Sequence, residues 1–305
     1  MSVMYVFLTQ MGNYTVPEYH QPMMEQATVA SIGCSFAGTM LIHFTWVYLG
    51  LGSDNFFISG NLATIVTTAQ AGLMGLENTY PDKGFCIAAT VAIVFLFTSA
   101  YSWMFLFACW KLADCTIGVH GSKHFRRIMY IIVGYGVPWA GIIPILLYYP
   151  DNLINGKICW LTEWTQWIFM GPLYCILGFN QLVMLLSLWN RWKKDCEKEE
   201  RRSMKQKLTN LAVTFFGEMH LFGTGWLLGL VPLTGYSTLP FGWAFILIAG
   251  PQNFYMFFLY YCTHKDVLSL LASHYEDTVE ATLEEIRKKK AQRGGRSSDT
   301  EEGSD

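Results

Sequence analysis

YIIVGYGVPWAGIIPILLYY, residues 130–149, contains no charged side chain, two prolines and three glycines. In a soluble protein it would be a buried strand and turn; in a bilayer it would be a helix whose small residues allow close packing. Length and repetition decide for the helix. A membrane-crossing helix needs ~20 apolar residues to span ~30 Å of hydrocarbon, and Gly and Pro are commoner in such helices than in soluble ones. Comparable runs occur at residues 86–110, 128–149, 165–189, 208–233 and 238–262. Residues 27–50 and 56–76 make two more, the second diluted by Ser, Thr, Asn and Gln. Only 14% of the chain is charged, against about 25% in a soluble domain. The expectation is an all-α membrane protein, a seven-transmembrane helix bundle over residues 27–264. Residues 1–26 would form a short extracellular N-terminus, and residues 265–305 a cytoplasmic short helix and disordered tail.

Charge sets the orientation. Lys83 and Lys157 fall in the loops after spans two and four, and the other 19 of the 21 Lys and Arg lie at or beyond the inner ends of spans three, five and seven. The positive-inside rule then puts the N-terminus outside and the C-terminus in the cytoplasm. Asn13, in the sequon Asn13-Tyr14-Thr15, is a glycosylation candidate on that outer side. The basic residues are accounted for by topology, so the net charge of −2 gives no argument for nucleic acid. The first residues lack the basic start and long apolar core of a signal peptide.

Of the eight cysteines, Cys34, Cys109, Cys175 and Cys262 lie inside spans, and Cys115 and Cys196 fall on the reducing side. Cys86 and Cys159 share the oxidising side and are the expected disulfide, which would tie the second outer loop across the bundle mouth. No Cys/His spacing suggests a metal. His43 and His220 are the histidines inside spans, too few for a membrane metallohydrolase, so neither an enzyme nor a cofactor is expected.

Several strings, in order, resemble the adhesion/secretin class of G-protein-coupled receptors. They are IGCSFAGTML at 32–41, SWMFL at 102–106, VGYGVP at 133–138, CWL at 159–161, GPLYCILGFN at 171–180, FGTGWLLGL at 222–230 and PQNFYMFFLYYCTHKDV at 251–267. The resemblance covers about residues 27–272. It implies a multi-pass plasma-membrane receptor that passes an extracellular or tethered peptide agonist's signal to a heterotrimeric G protein, with membrane lipid around it. It also implies that Trp226 is a rotamer switch, with Trp103, Trp160 and Gln252 around a ligand pocket; the plainer alternative is that Trp226 and Gln252 are packing residues. Phe7 and Met11, in YVFLTQM, would sit where a tethered agonist lies; the plainer alternative is chance apolar residues in a disordered start. Arg126, Arg127, Lys193, Lys194, Arg201, Arg202 and Lys205 would form the G-protein face, or simply a solvated orienting surface. Gly223, Gly225 and Gly229 are the expected compliant points of helix six. The glycines flanking Trp226 suggest that its ring is loosely packed on one side.

The sequence also departs from the class. The alignment puts Ser59 where a helix-two His is usual and Phe107 where a helix-three Glu is usual, so both members of one buried polar pair are replaced together. The first inner loop lacks the usual basic residues. The large ectodomain of adhesion receptors is not in the chain, which is either a short receptor or a piece of a longer one. The rival reading is a seven-helix transporter or channel. It needs polar groups along a path at the membrane midplane, for which Asn61, Thr64, Thr67, Thr68 and Gln70 in span two are the candidates. Glu218, the buried acid of span six, suits either reading.

Overall fold

The computed structural model describes residues 19–75, 83–116, 121–148, 161, 163–198, 204–229 and 238–298. They form two units, residues Met1–Tyr261 and Cys262–Asp305. The first unit is a helical bundle. Its helices are α1 (Gln21–Tyr48), α2 (Asp54–Gly75), α3 (Lys83–Thr116), α4 (Lys123–Tyr148), α5 (Glu163–Lys198), α6 (Met204–Glu218), α7 (Thr238–Ile248) and α8 (Gln252–Tyr261). A 3₁₀ stretch, Thr224–Gly229, follows α6. Helix α3 is central and packs against α2, α4 and α5, while α1 lies beside α2, α7 and α8.

The opening stretch is α4. Gly134, Pro138, Ile142 and Ile145 are buried on one stripe at helical spacing. Ile131, Ile132, Val137, Trp139, Ile143, Leu147 and Tyr148 point outward and are exposed. A helix so apolar on its outer face suits lipid and not water. Residues Ile132–Gly136 form a π-turn inside it, a local irregularity common at functional positions. Gly134 is required by its neighbour: a Cβ there would lie 2.5 Å from Cε2 of Trp103 on α3.

Among the described residues four helices are long and apolar enough to cross a membrane: Pro22–Tyr48, Gly84–Asp114, Lys123–Tyr148 and Trp167–Lys194. The pair Leu239–Ile248 and Gln252–Tyr261, bent by 50° at Ala249–Pro251, makes a fifth if taken as one span. The other two expected spans are helical but do not meet that standard among the described residues. Helix α2 is diluted by the polar residues noted above. Helix six is broken: α6 has 15 residues and ends at a turn.

The second unit contains α9, Lys265–Ser298, 34 residues long. Residues 299–305 lie outside the described residues, and the helix expected to be short after the last span is corrected to one that runs through Ser298. Its composition explains the length, since Glu, Lys, Ala and Leu favour helix and Glu284 and Glu285 precede Lys288 and Lys289 at the supportive i,i+4 spacing.

Candidate functional site

Two breaks face each other in the bundle. Helix α6 stops at a cap centred on Gly223, whose φ is +74°. There the N–H of Thr224 donates to Met219 O at 2.9 Å and that of Gly223 to His220 O at 3.3 Å, the paired bonds of a Schellman end with glycine in the left-handed position. A side chain at Gly223 would also meet Sδ of Met104 at 2.6 Å. The second break is the α7–α8 elbow at Ala249–Pro251.

Breaking a helix in lipid frees carbonyls that have no water to turn to, and here side chains serve them. Asn180 and Gln181 on α5 donate to Phe222 O at 3.4 and 3.3 Å. Gln252 Nε2 donates to His220 O at 2.9 Å. Across the other break, Gln70 Nε2 donates to Ala249 O and Gly250 O at 3.2 and 3.0 Å. Thr224 Oγ1 adds a bond to Gln181 Oε1 at 2.9 Å.

Trp226 joins the two breaks. Its indole Nε1–H donates to Gln252 Oε1 at 2.8 Å, so one glutamine holds both the indole and a carbonyl of the α6 end. Two of the expected switch residues are thus brought together. The expected loose packing is not there: Trp226 is buried, with Phe97, Tyr101 and Phe245 edge-on at 5.5, 5.8 and 5.7 Å. Gly225 serves close packing instead, since a Cβ there would lie 3.2 Å from Cγ2 of Ile248. A cavity of about 20 Å³ opens beside the indole, lined by Val94, Phe97, Thr98, Tyr101, Leu161, Phe169, Met170, Leu173 and Trp226. That is room for a water-sized group, in a nearly all-apolar wall.

Trp103 stands apart from this cluster. It is fully buried against Gly134, with Phe57 and Tyr135 at 6.2 and 5.3 Å, and it does not line the cavity. Ser59 and Phe107 are both fully buried. Ser59 Oγ shares a hydrogen bond with the Tyr261 hydroxyl at 2.8 Å. Phe107 packs among Trp110, Phe222 and Tyr260 at 5.9, 5.3 and 6.3 Å. A lone hydroxyl pair plus an aromatic cluster thus occupies the position where the class carries its polar pair.

On the loop side of α2 and α4, Arg126 Nε meets Asp54 Oδ2 at 2.6 Å, and Tyr130 donates to the same oxygen at 3.3 Å. Arg127 donates to Gly52 O at 2.8 Å and lies 4.9 Å above the Phe57 ring. Both arginines are engaged within the chain. Lys193, Lys194 and Lys205 are exposed.

Cys86 is disulfide-bonded, and Cys34, Cys109, Cys175, Cys196 and Cys262 are free. Its expected partner Cys159 lies outside the described residues, as do Phe7, Met11, Asn13, Trp160, Arg201 and Arg202. We expect non-reducing mass spectrometry of surface protein to link the Cys86 and Cys159 peptides. Recovery of Cys159 as a free thiol would exclude that pairing.

Sequence reading missed the Gln70 contact with the elbow, the Asp54–Arg126 pair and a Lys111–Glu218 ion pair. Glutamine in an apolar span and an acid followed by a break were the available signals; the partners come from folding.

A family model described as 7 transmembrane receptor (Secretin family) matches residues 23–250. The chain is 25% identical over 198 residues to adhesion G protein-coupled receptor E5 of Bos taurus, covering 64% of this chain and 27% of that one. It is 25% identical over 218 residues to adhesion G protein-coupled receptor E3 of Homo sapiens, covering 70% and 33%. It is 24% identical over 273 residues to adhesion G protein-coupled receptor D2 of Homo sapiens, covering 84% and 28%. The chain therefore spans between a quarter and a third of the length of these relatives.

Proposed function

Because this chain belongs to the secretin family of seven-transmembrane receptors, we propose that it transmits an extracellular agonist signal to a cytoplasmic heterotrimeric G protein. In this reading it lies in the plasma membrane with its N-terminus outside. Helices α1 to α5, the broken α6 with its 3₁₀ continuation, and the bent α7–α8 pair then make seven spans. The agonist is an outside peptide or the tethered segment containing Phe7 and Met11, and Lys193, Lys194, Arg201, Arg202 and Lys205 meet the G protein.

One observation carries the reading: Gln252 holds Trp226 and His220 O together across the break of helix six. A cavity lined in part by that indole is coupled, through one side chain, to the joint on which α6 would pivot. A ligand can shift a two-state equilibrium only by binding one state better than the other, and contact with Trp226 supplies such a difference.

The transporter reading fits less well. Its discontinuous helices would present unwound carbonyls to a substrate, whereas here Gln70, Asn180, Gln181 and Gln252 serve them. The span-two candidates are also committed to neighbours. Tyr135 donates to Asn61 at 3.1 Å, His43 meets Thr64 at 2.7 Å, and Thr67 meets Thr39 at 2.6 Å.

The test is G-protein recruitment in cells without added agonist, for the full chain and for one starting at Met23, per molecule at the surface. Recruitment by the full chain that falls on truncation is expected. No recruitment by either chain, with both at the surface, would overturn the receptor reading; equal recruitment would overturn the tethered agonist alone.

A further inference from the structure

The geometry points to the outer face of α2 as the surface on which two copies of this chain pair inside the membrane. Helix α2 carries two sets of polar residues. The inward set is spent on other helices. Asn55 and Ser59 meet the hydroxyls of Tyr260 and Tyr261 at 3.1 and 2.8 Å, Thr67 accepts from Asn253 Nδ2 at 2.8 Å, and Gln70 serves the elbow. The outward set, Asn61, Thr64 and Thr68, lies on one stripe at helical spacing. Thr64 and Thr68 are exposed and Asn61 is half-buried. Polar groups on the lipid side of a membrane helix are costly unless something satisfies them. Depth says what can do so. Thr64 is the eleventh of the 22 residues of α2. It is therefore about 15 Å from either end at ~1.5 Å per residue, the midplane of a ~30 Å hydrocarbon layer. Lipid headgroups are held at the water interface, whereas another membrane helix can present a polar group at any level.

The bonds this face already makes leave capacity over. The single hydroxyl proton of Thr64 goes to Gly60 O at 3.0 Å, so His43 on α1, 2.7 Å away, donates to it through Nε2. His43 Nδ1 is then a bare acceptor with no partner among the described residues, and Trp46 at 6.0 Å steadies the ring. Asn61 gives one amide N–H to Phe57 O at 2.8 Å and accepts from Tyr135 at 3.1 Å. Its second N–H has no partner among the described residues. Thr68 spends its proton on Thr64 O at 2.8 Å and extends the stripe one turn outward. One face thus shows a donor and, a turn away, an acceptor. Two copies inserted the same way are related by a twofold axis along the membrane normal. That axis brings the two faces together at equal depth, each Asn61 N–H toward the other copy's His43. A face with both donor and acceptor is complementary to itself, whereas one of donors alone would need an unlike partner.

The inference rests on α2 crossing the membrane, as the receptor reading has it, and not on signalling. The test uses the full chain with a donor or acceptor fluorescent protein at its C-terminus, in phosphatidylcholine vesicles over a range of protein-to-lipid ratios. Energy transfer should report a dimer. His43→Phe and Asn61→Leu should each weaken it roughly tenfold, because each loss occurs twice across the axis. The double variant should be no weaker than either, since the two residues serve the same bonds. Leu182→Ala, on the exposed side of α5, should leave association unchanged. Thr68→Cys, in a chain whose exposed cysteines are replaced by alanine, should cross-link copy to copy, and Leu182→Cys should not. That comparison decides the matter if the α2 and α1 variants do not fold. Monomers at every density, additive losses, or cross-linking through Leu182→Cys instead would overturn this dimer face. Thr64→Cys separates the two failures. Its labelling by a membrane-impermeant maleimide would put the face in water and overturn the seven-span reading as well. A protected cysteine in a monomeric chain would overturn the dimer alone.

Discussion

Trp226→Phe and Gln252→Leu should lower stimulated signal per surface receptor by the same factor, and the double variant should lower it no further. Both remove one bond, from the indole N–H to Gln252 Oε1. Phenylalanine keeps an aromatic ring among Phe97, Tyr101 and Phe245, so packing is largely preserved. Leucine at 252 also gives up the bond to His220 O, but that carbonyl keeps the Gly223 N–H. The shared loss is thus the tie across the helix-six break. Interhelical hydrogen bonds in membranes are worth about 1–2 kcal/mol at the upper end, and about 1.4 kcal/mol shifts a two-state equilibrium tenfold. A fall of roughly thirtyfold is therefore the upper expectation. Trp226→Ala is a different experiment. It also empties an aromatic cage at a cost of roughly 3–5 kcal/mol, so surface expression should fall with it. Recruitment assays normalised to surface protein test the pair. Additive losses in the double variant would mean that the residues act separately and that the bond does not couple the breaks.

What the sequence made legible follows from what each feature depends on. Hydropathy placed α1, α3, α4 and α5 closely, because the solvent around a helix selects its residues one position at a time. Glycine marked the helix-six break for a similar reason: a left-handed φ is a local demand, and Gly223 meets it. Helix α9 is longer than its charged composition suggests because its helix-forming residues and i,i+4 spacing outweigh that charge. The packing of Trp226 was not legible. Its neighbours Phe97 and Tyr101 lie on α3 and Phe245 on α7, so flanking glycines say nothing of what the fold brings there. The same holds for Lys111 and Glu218, 107 residues apart. Glu218 was expected to be buried in span six, but that Lys111 pairs with it was not legible until α3 and α6 were set side by side. Replacement of the usual polar pair at Ser59 and Phe107 was visible; that Tyr261 takes up Ser59 was not.

Gly38→Ala should be among the most damaging single methyls in the bundle. The added Cβ would fall 2.3 Å from the backbone nitrogen of Phe254 and 2.4 Å from the carbonyl carbon of Asn253. These are main-chain atoms of α8, which cannot turn away as a side chain can, so α1 and α8 must part. Small residues at helix contacts in membranes are selected for this close approach. Parting also strains the polar knot beside it, where Asn253 Nδ2 reaches Thr39 Oγ1, Ala63 O and Thr67 Oγ1 at 3.0, 2.8 and 2.8 Å. Overpacking alone costs about 1–3 kcal/mol, and loosened hydrogen bonds with no water to replace them add to it. The control lies on the same helix. Gly33 has nothing within 4 Å of a built Cβ, so Gly33→Ala carries the same gain in helix propensity without the clash. Surface expression and thermal denaturation in detergent should therefore drop sharply for Gly38→Ala and stay at or above wild type for Gly33→Ala. Equal behaviour of the two variants would show that α1 and α8 do not make this contact in the membrane. The arrangement of Asn253 with Thr39, Ala63 and Thr67 would fall with it, because that knot requires the helices to be this close.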